Sequence, residues 1–526
     1  MSNLLRSNIT VAAGTALSRA SGLARVIVLG YVLGQTALAD SYKLANETPN
    51  IVYELLLGGV LSATLVPLFS TFLEDDDDES TNVVITVAAM LMAALTVVAV
   101  IAAPLVFRLY SINVDEGVDP EVFRSVGTTL ARVFLIQIMF YGLVALANAF
   151  LNSRRRFFAA AWSPILPNLI IIATLLSLPN PGEADWQLEE VLSDERLRTT
   201  LGLGATLGIG SMLLILVPAA LSTGFRFRFA PKFRHPAVRQ LLTLSFWTIG
   251  FVIANQAALI VVRNLADPGS GDASAYFDAF TFFVLPHGLL AVSIATTFQP
   301  EMARSVARHD RSGFVDQTSL GVRMTALFTI PAGIGIFVLR RPIIGSLLQH
   351  GSFDATAASN TTRALAGFAL GLGAFSIYLF VLRGFYAHKD TRTPFVINVV
   401  ENAINIVFAI LLVDRFGVLG LGLAFAIAYT ISSVWSLQVL GYKVPGFSLR
   451  EIGRSITRII LAAVLMGEAV WFVARNVGGD VGSEAVVRVV VGSLVGAVVY
   501  VGLMFALGAP ELDPIRRVVR RDRPDG

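Results

Sequence analysis

No cysteine occurs among the 526 residues of this chain. That excludes disulfides, iron–sulfur clusters, thiolate zinc sites and cysteine nucleophiles together. Histidine is nearly as scarce. His235, His287, His309, His350 and His388 are scattered, with no spacing that would hold a metal. Charge is sparse as well, at 15% of residues against about one-quarter in an average soluble protein. The formal net charge of +3 gives no ground for nucleic-acid binding. The chain has no GxxxxGK[ST] sequence and no long soluble stretch to hold a nucleotide, so ATP-driven work by this chain alone is not expected. It also has no Ser/His/Asp arrangement or catalytic cluster in the loops of one face, and an enzyme is not expected.

What is there is apolar sequence, spread over the whole length. Hydrophobic residues make up 55% of the chain, and its mean hydropathy is +0.70. Apolar runs of spanning length fall at 9–34, 44–73, 83–109, 124–152, 157–178 and 199–222, then at 237–264, 273–300, 318–340, 358–388, 394–413 and 417–440, and finally at 452–474 and 484–508. The expectation is an all-α polytopic membrane protein of fourteen transmembrane helices. The runs are far longer than the roughly 9–11 residues of a barrel strand. No small-residue cleavage site follows the first run, so a removable signal peptide is not expected.

The loops alternate in charge. "NSRRRFF", "GFRFRFAPKFRHPAVRQ", "ARSVARHDRSG", "HKDTRTP", "GYKVPGFSLREIGRS" and the tail "PIRRVVRRDRP" are basic. "NVDEGVDPE", "GEADWQLEEVLSDE", "ADPGSGDAS" and "RNVGGDVGSE" lie between them and are acidic or neutral. By the positive-inside rule both termini are cytoplasmic. "LEDDDDES" falls on the basic side, but acidic residues weigh little in that rule, and it reads as a solvated loop.

An internal repeat is also present. "SATLVPLF" (62–69) matches "ATTFQPEM" (295–302), with Pro67 and Pro300 an offset of 233 apart. "ANAFLNSRRRFFAAAWSPILPNLIII" (147–172) matches "LRGFYAHKDTRTPFVINVVENAINIV" (382–407) at offsets of 234–235. Six spans per repeat give both halves one membrane orientation, related by an axis along the membrane normal with a cleft between them. The expected division is a six-helix lobe at 1–223, a second at 224–440, two added helices at 441–510 and a basic cytoplasmic tail at 511–526.

Against this background, charges inside spans stand out. Arg19 and Arg25 lie near the middle of the first run, where an arginine costs roughly 2.5 to 3.5 kcal/mol on insertion scales. Six residues apart, they point about 120° from each other and flank a groove on which two guanidiniums can converge. The guanidinium fork suits phosphate, so one bulky anion is the expected ligand. Asp40, Lys43, Glu47, Asn50 and Glu54 recur at three- and four-residue spacing and form a polar stripe that would line water rather than lipid. Asn255, Gln256 and Arg263 lie in the seventh run, Thr281 in the eighth and Arg383 in the tenth. Glu401 sits with Asn398, Asn402 and Asn405 on the eleventh, where hydrogen bonding between helices is the plainer reading for the amides. Arg383 and Glu401 are candidates for the cavity or for pairing with each other.

"ALSRASGLARVIVLGYVLG", "ADSYKLANETPNIVYELLLGGVLSATLVPLF" and above all "VLRGFYAHKDTRTP" resemble the MurJ/MviN lipid II flippases of the multidrug/oligosaccharidyl-lipid/polysaccharide exporter superfamily. The resemblance covers nearly the whole chain. It implies two six-helix lobes around a central cationic cavity, with the last two helices forming a groove for a polyprenyl tail. The implied substrate is lipid II, an undecaprenyl-diphosphate-linked saccharide-peptide, carried outward across the bacterial cytoplasmic membrane by alternating access. Membrane lipids and cell-wall synthesis proteins are the further partners implied. The family's first-helix arginines match Arg19 and Arg25, and its following acid matches Asp40. Two other family arginines are absent: Pro49-Asn50 is followed by Tyr53 and Glu54, and "AFTFFVL" precedes Pro286, with Thr281 nearest. Arg263 and Arg383 are the candidates to replace them. No cofactor is identified, and coupling to an ion or to the membrane potential stays open. The alternatives are a polysaccharide-unit or other exporter of the same superfamily, and a non-transporting scaffold for wall synthesis.

Overall fold

A computed structural model describes residues 2–55, 65–179 and 187–512. Among these every element is helical. The chain forms two compact units, Met1–Ser274 with His350–Asp354, and Ala275–Gln349 with Ala355–Gly526.

In the first unit the chain runs through α1 (Ser2–Leu33), α2 (Ala37–Leu55), α3 (Val66–Glu74), α4 (Asp78–Ile101), α5 (Ala103–Tyr110), α6 (Pro120–Phe134) and α7 (Gln137–Ser153). It continues as α8 (Phe157–Trp162), α9 (Ile165–Leu176), α10 (Glu190–Ser193), α11 (Glu195–Ser211), α12 (Leu213–Leu221) and α13 (Pro236–Asn264). Helix starts follow local chemistry. Asp77 accepts from the Ser80 N–H at 2.8 Å, Asp119 from the Glu121 N–H at 2.8 Å, and Asp194 from the Arg196 N–H at 2.8 Å. Each cap is worth about 1 kcal/mol. Pro164 stands at the break between α8 and α9, and Pro104 in the first turn of α5, since proline cannot donate to the preceding turn. The α6–α7 break has no proline. There the Thr206 hydroxyl of α11 donates to the Val133 carbonyl of α6 at 3.0 Å and accepts from the Gln137 amide of α7 at 3.3 Å, which ties the three helices together. The core of this unit gathers Phe69, Phe150, Leu151, Val144 and Leu216.

The second unit takes over within α14 (Asp272–Pro286), followed by a π-helical turn at His287–Ala291 and α15 (Val292–Ala307). Pro286 and the turn sit inside one apolar stretch, Asp272–Ala307. Then come α16 (Arg311–Leu347), α17 (Ala355–Ala387), α18 (Arg392–Phe416), α19 (Val418–Lys443), α20 (Leu449–Ala474) and α21 (Gly482–Ala506). The α17–α19 packing rests on small residues, which let backbones approach where lipid gives no hydrophobic drive between helices. A Cβ on Gly367 would lie 2.6 Å from the Gly422 backbone, and one on Gly371 would lie 2.8 Å from Ala426. Beside them an aromatic cluster joins Phe283, Phe368, Phe375, Phe425 and Tyr429.

Twelve helices among the described residues are long and apolar enough to span a membrane, rather than the expected fourteen. The difference falls on two runs. The second, 44–73, includes residues 56–64, which lie outside the described residues. The seventh is covered by the 29-residue α13, in which the side chains of 242–249 and 251 lie outside the described residues and leave Val252–Asn264 as the described apolar segment. The α13 helix packs in the first unit, although the repeat would begin the second half there. Its C-terminal end explains this: Asn264 Oδ1 accepts from the Ile112 N–H at 2.6 Å, and its amide donates to Leu109 O at 2.7 Å.

Backbone features recur at the repeat offset. Asp76 and His309 are left-handed residues (φ 52° and 57°), 233 positions apart. Arg155 and Lys389 (φ 56° and 59°) are 234 apart. Asp77 caps α4 as Asp310 caps α16, again 233 apart.

Candidate functional site

Arg19 and Arg25 both lie inside the spanning part of α1, Ala13–Leu33, and both are half-buried. The helix is fixed beside them by small-residue packing. The Gly14 position leaves a Cβ only 2.6 Å from Trp162 Nε1, and the Asn168 amide of α9 donates to Ser21 Oγ at 2.9 Å and to Ser18 O at 3.3 Å. Arg25 continues the Ser18–Ser21 stripe at i+4 and i+7. Its charge reaches the buried Tyr42 of α2. Among the described residues neither arginine forms an ion pair with an acid. No carboxylate among the described residues therefore neutralises their positive charge in this apolar helix, and an anion would do so.

The polar stripe of α2 has a different fate at each position. Asp40 is fully buried. Its Oδ2 accepts from the Gly269 and Gly271 N–H groups, both at 2.9 Å, and its Oδ1 from the Ser274 N–H at 2.8 Å. In this conformation Asp40 holds the α13–α14 loop and the first turn of α14, where a carboxylate also complements the helix dipole. Glu47 pairs with Arg263 at 3.4 Å, and Arg263 is only 3% exposed. Gln256 accepts from the Tyr110 hydroxyl at 3.2 Å, and Asn46 from the Gln137 amide at 3.4 Å. Asn255 is half-buried on the same helix as Gln256. Asn50 and Glu54 fall in the last turns of α2, and their side chains lie outside the described residues. In the first unit Asp40, Gln256 and Arg263 thus each have a partner of their own: Asp40 on the α13–α14 loop and Ser274, Gln256 on Tyr110 and Arg263 on Glu47. Sequence reasoning had not joined Glu47 to Arg263 or found Asn264, because these partners lie more than a hundred residues apart and leave no local signal.

In the second unit Arg383 is half-buried and donates to Gln299 Oε1 at 2.8 Å. This joins the two repeat motifs of that half, and the alternative pairing with Glu401 is not the one formed. Glu401 is 1% exposed, and its Oε2 has no hydrogen-bond partner among the described residues. The Thr281 hydroxyl donates back to Phe277 O at 3.1 Å, within its own helix. Arg383, Glu401 and Thr281 are therefore three separate environments rather than one constellation.

These helices, long and apolar enough to span, define a multi-pass membrane protein. The architecture recurs in solved transporters. One, titled an inward-facing multidrug resistance MATE family transporter of the MOP superfamily, shares 13% identity at a TM-score of 0.61, covering 81% of this chain and 95% of that one. Another, titled lipid II flippase MurJ in an inward closed conformation, shares 23% identity at a TM-score of 0.77, covering 95% of this chain and 99% of that one. At these identities the likeness speaks for the fold. The profile of the family described as lipid II flippase MurJ matches residues 29–491, and the chain belongs to that family. Relatives include a probable lipid II flippase MurJ of Rhizobium tropici, 28% identical over 99% of this chain and 98% of the relative. A lipid II flippase MurJ of Burkholderia cenocepacia is 26% identical over 90% of this chain and 91% of the relative.

Proposed function

We infer that this chain is a lipid II flippase, moving the lipid-linked peptidoglycan precursor from the cytoplasmic to the outer leaflet for cell-wall synthesis. Membership of the MurJ family over residues 29–491 supports this substrate. The structural observation that carries the reading is the pair of half-buried arginines on α1 with no acid partner among the described residues. In this reading Arg19 and Arg25 take the diphosphate and its neighbouring carboxylates through forked hydrogen bonds while the apolar tail stays in lipid. Alternating access then releases the head group on the far side, since a ligand that binds two conformations of a protein unequally shifts the balance between them. Asp40 and Arg263 act by holding α2, α13 and the start of α14 in place rather than by touching the substrate. In the same reading Arg383 makes the first capture of the head group from the basic loop side. The chain sits in the bacterial cytoplasmic membrane with both termini inside, as the loop charges indicate. The test is depletion of the protein, followed by identification of the lipid-linked precursor that accumulates on the inner leaflet. Lipid II is expected; accumulation of a different lipid-linked saccharide instead would overturn the substrate assignment.

A further inference from the structure

The segment between α12 and α13 is not used by the transport reading. Phe225 packs inward on Phe150 at 4.9 Å between ring centroids, which starts an extended strap. The strap is fastened to α4 by its backbone: the Arg228 N–H donates to Asn82 Oδ1 at 2.6 Å, and the Ala230 N–H to Thr86 Oγ1 at 3.1 Å. Asn82 and Thr86 lie in the second and third turns of α4, so the strap is held beside the N-terminal end of a helix long and apolar enough to span a membrane. Side chains alternate along it. Phe227, Phe229 and Phe233 are 51%, 66% and 51% exposed. Arg226, Arg228 and Arg234 are exposed too, and among the described residues none of the three has an ion pair. The strap continues the outward apolar face of α12, where Leu214 and Leu221 are 73% and 57% exposed.

We propose that this strap is a binding site for anionic phospholipid, with the phenylalanines inserted among the acyl chains and the arginines on the headgroup phosphates. Three chemical features favour a lipid over a protein partner. Aromatic rings with an apolar body are the residues that settle at the bilayer interface. Arginine donates bidentate hydrogen bonds to phosphate and gains from the negative surface potential of anionic lipid. Third, the backbone is already fixed, so little ordering entropy opposes insertion.

The Cys-free chain allows a direct test on the full-length protein. Phe229→Cys, labelled with an environment-sensitive fluorophore, is placed in nanodiscs of phosphatidylcholine alone or mixed with phosphatidylglycerol. The label should be quenched by spin-labelled lipid and shielded from aqueous iodide. The lipid that copurifies should be enriched in phosphatidylglycerol, and Arg226→Gln/Arg228→Gln/Arg234→Gln should lose that enrichment while eluting and melting as the parent does. Free quenching by iodide with none by lipid would place the strap in water as a surface for a soluble protein, and the proposal would fall. Equal phosphatidylglycerol enrichment in the parent and the triple variant would remove the arginines as the headgroup site and overturn it as well. Neither readout depends on transport.

Discussion

Arg25 and Asp40 carry opposite lessons about single residues. Both are charges near or within an apolar span. Yet Asp40 is occupied by three backbone N–H groups, while Arg25 meets no acid among the described residues. Removing the Arg25 charge should therefore abolish complementation in depleted cells with the protein still inserted, and Arg25→Lys should give a partial defect because an ammonium keeps charge without the fork. Full activity of Arg25→Ala would make the residue an interfacial anchor. Asp40→Ala should behave differently. It leaves buried donors without their acceptor, a loss of about 3 kcal/mol or more, seen as a lower melting temperature and reduced protein level. If Asp40→Ala keeps its stability but stops flipping, the carboxylate acts on the substrate instead. The intramembrane charges were legible in the sequence because each breaks an apolar run. Their partners were not. Nothing local links Asp40 to Gly269, or Arg383 to Gln299, since only the tertiary fold brings them together.

At the scale of elements, several helix starts follow from capping aspartates and early prolines. The split at Leu135 does not, because no proline or glycine marks it, while that at Met212 has only Gly208 and Gly210 before it. The α17–α19 contact is the most demanding. Gly371→Leu should force these helices apart, an overpacking cost of about 1–3 kcal/mol, and should lower both yield and melting temperature. Gly335→Ala, where a Cβ meets nothing within 4 Å, should leave both unchanged. The turn entering α18 gives a pH prediction. Partial burial pushes the Asp390 carboxyl up, but the Lys443 ammonium at 2.6 Å, with the Thr393 N–H at 3.0 Å and the Thr393 hydroxyl at 2.7 Å, outweighs it and brings the group down to about 2. A depressed carboxylate stabilises above its ordinary value near 3.9, and that contribution is lost as pH falls from about 4 through 2. The hydrogen-exchange protection of the Lys389–Thr393 turn, measured against the intrinsic rate at each pH, should fall over that window in the parent, and Asp390→Asn should remove the dependence.

For the whole molecule, the fold class came from hydropathy alone, and the repeat was visible in two short motifs whose backbone geometry recurs at the same offset. The placement of α13 in the first unit was not visible, because it depends on Asn264 reaching the α5 end. Orientation is testable by labelling. Single cysteines at Glu116 and Ser312 should react from opposite sides of the membrane, Ser312 from the cytoplasm; same-side reaction would refute the topology. The function is tested most directly in depleted cells supplied with either the parent or Arg19→Ala/Arg25→Ala at equal protein level. The measurement is the fraction of lipid II open to an externally added lipid II-hydrolysing enzyme. The parent should expose lipid II to cleavage, and the double variant should leave it protected inside. Cleavage that is equal in the parent, the double variant and the depleted cells would contradict a flippase working through the arginines of α1.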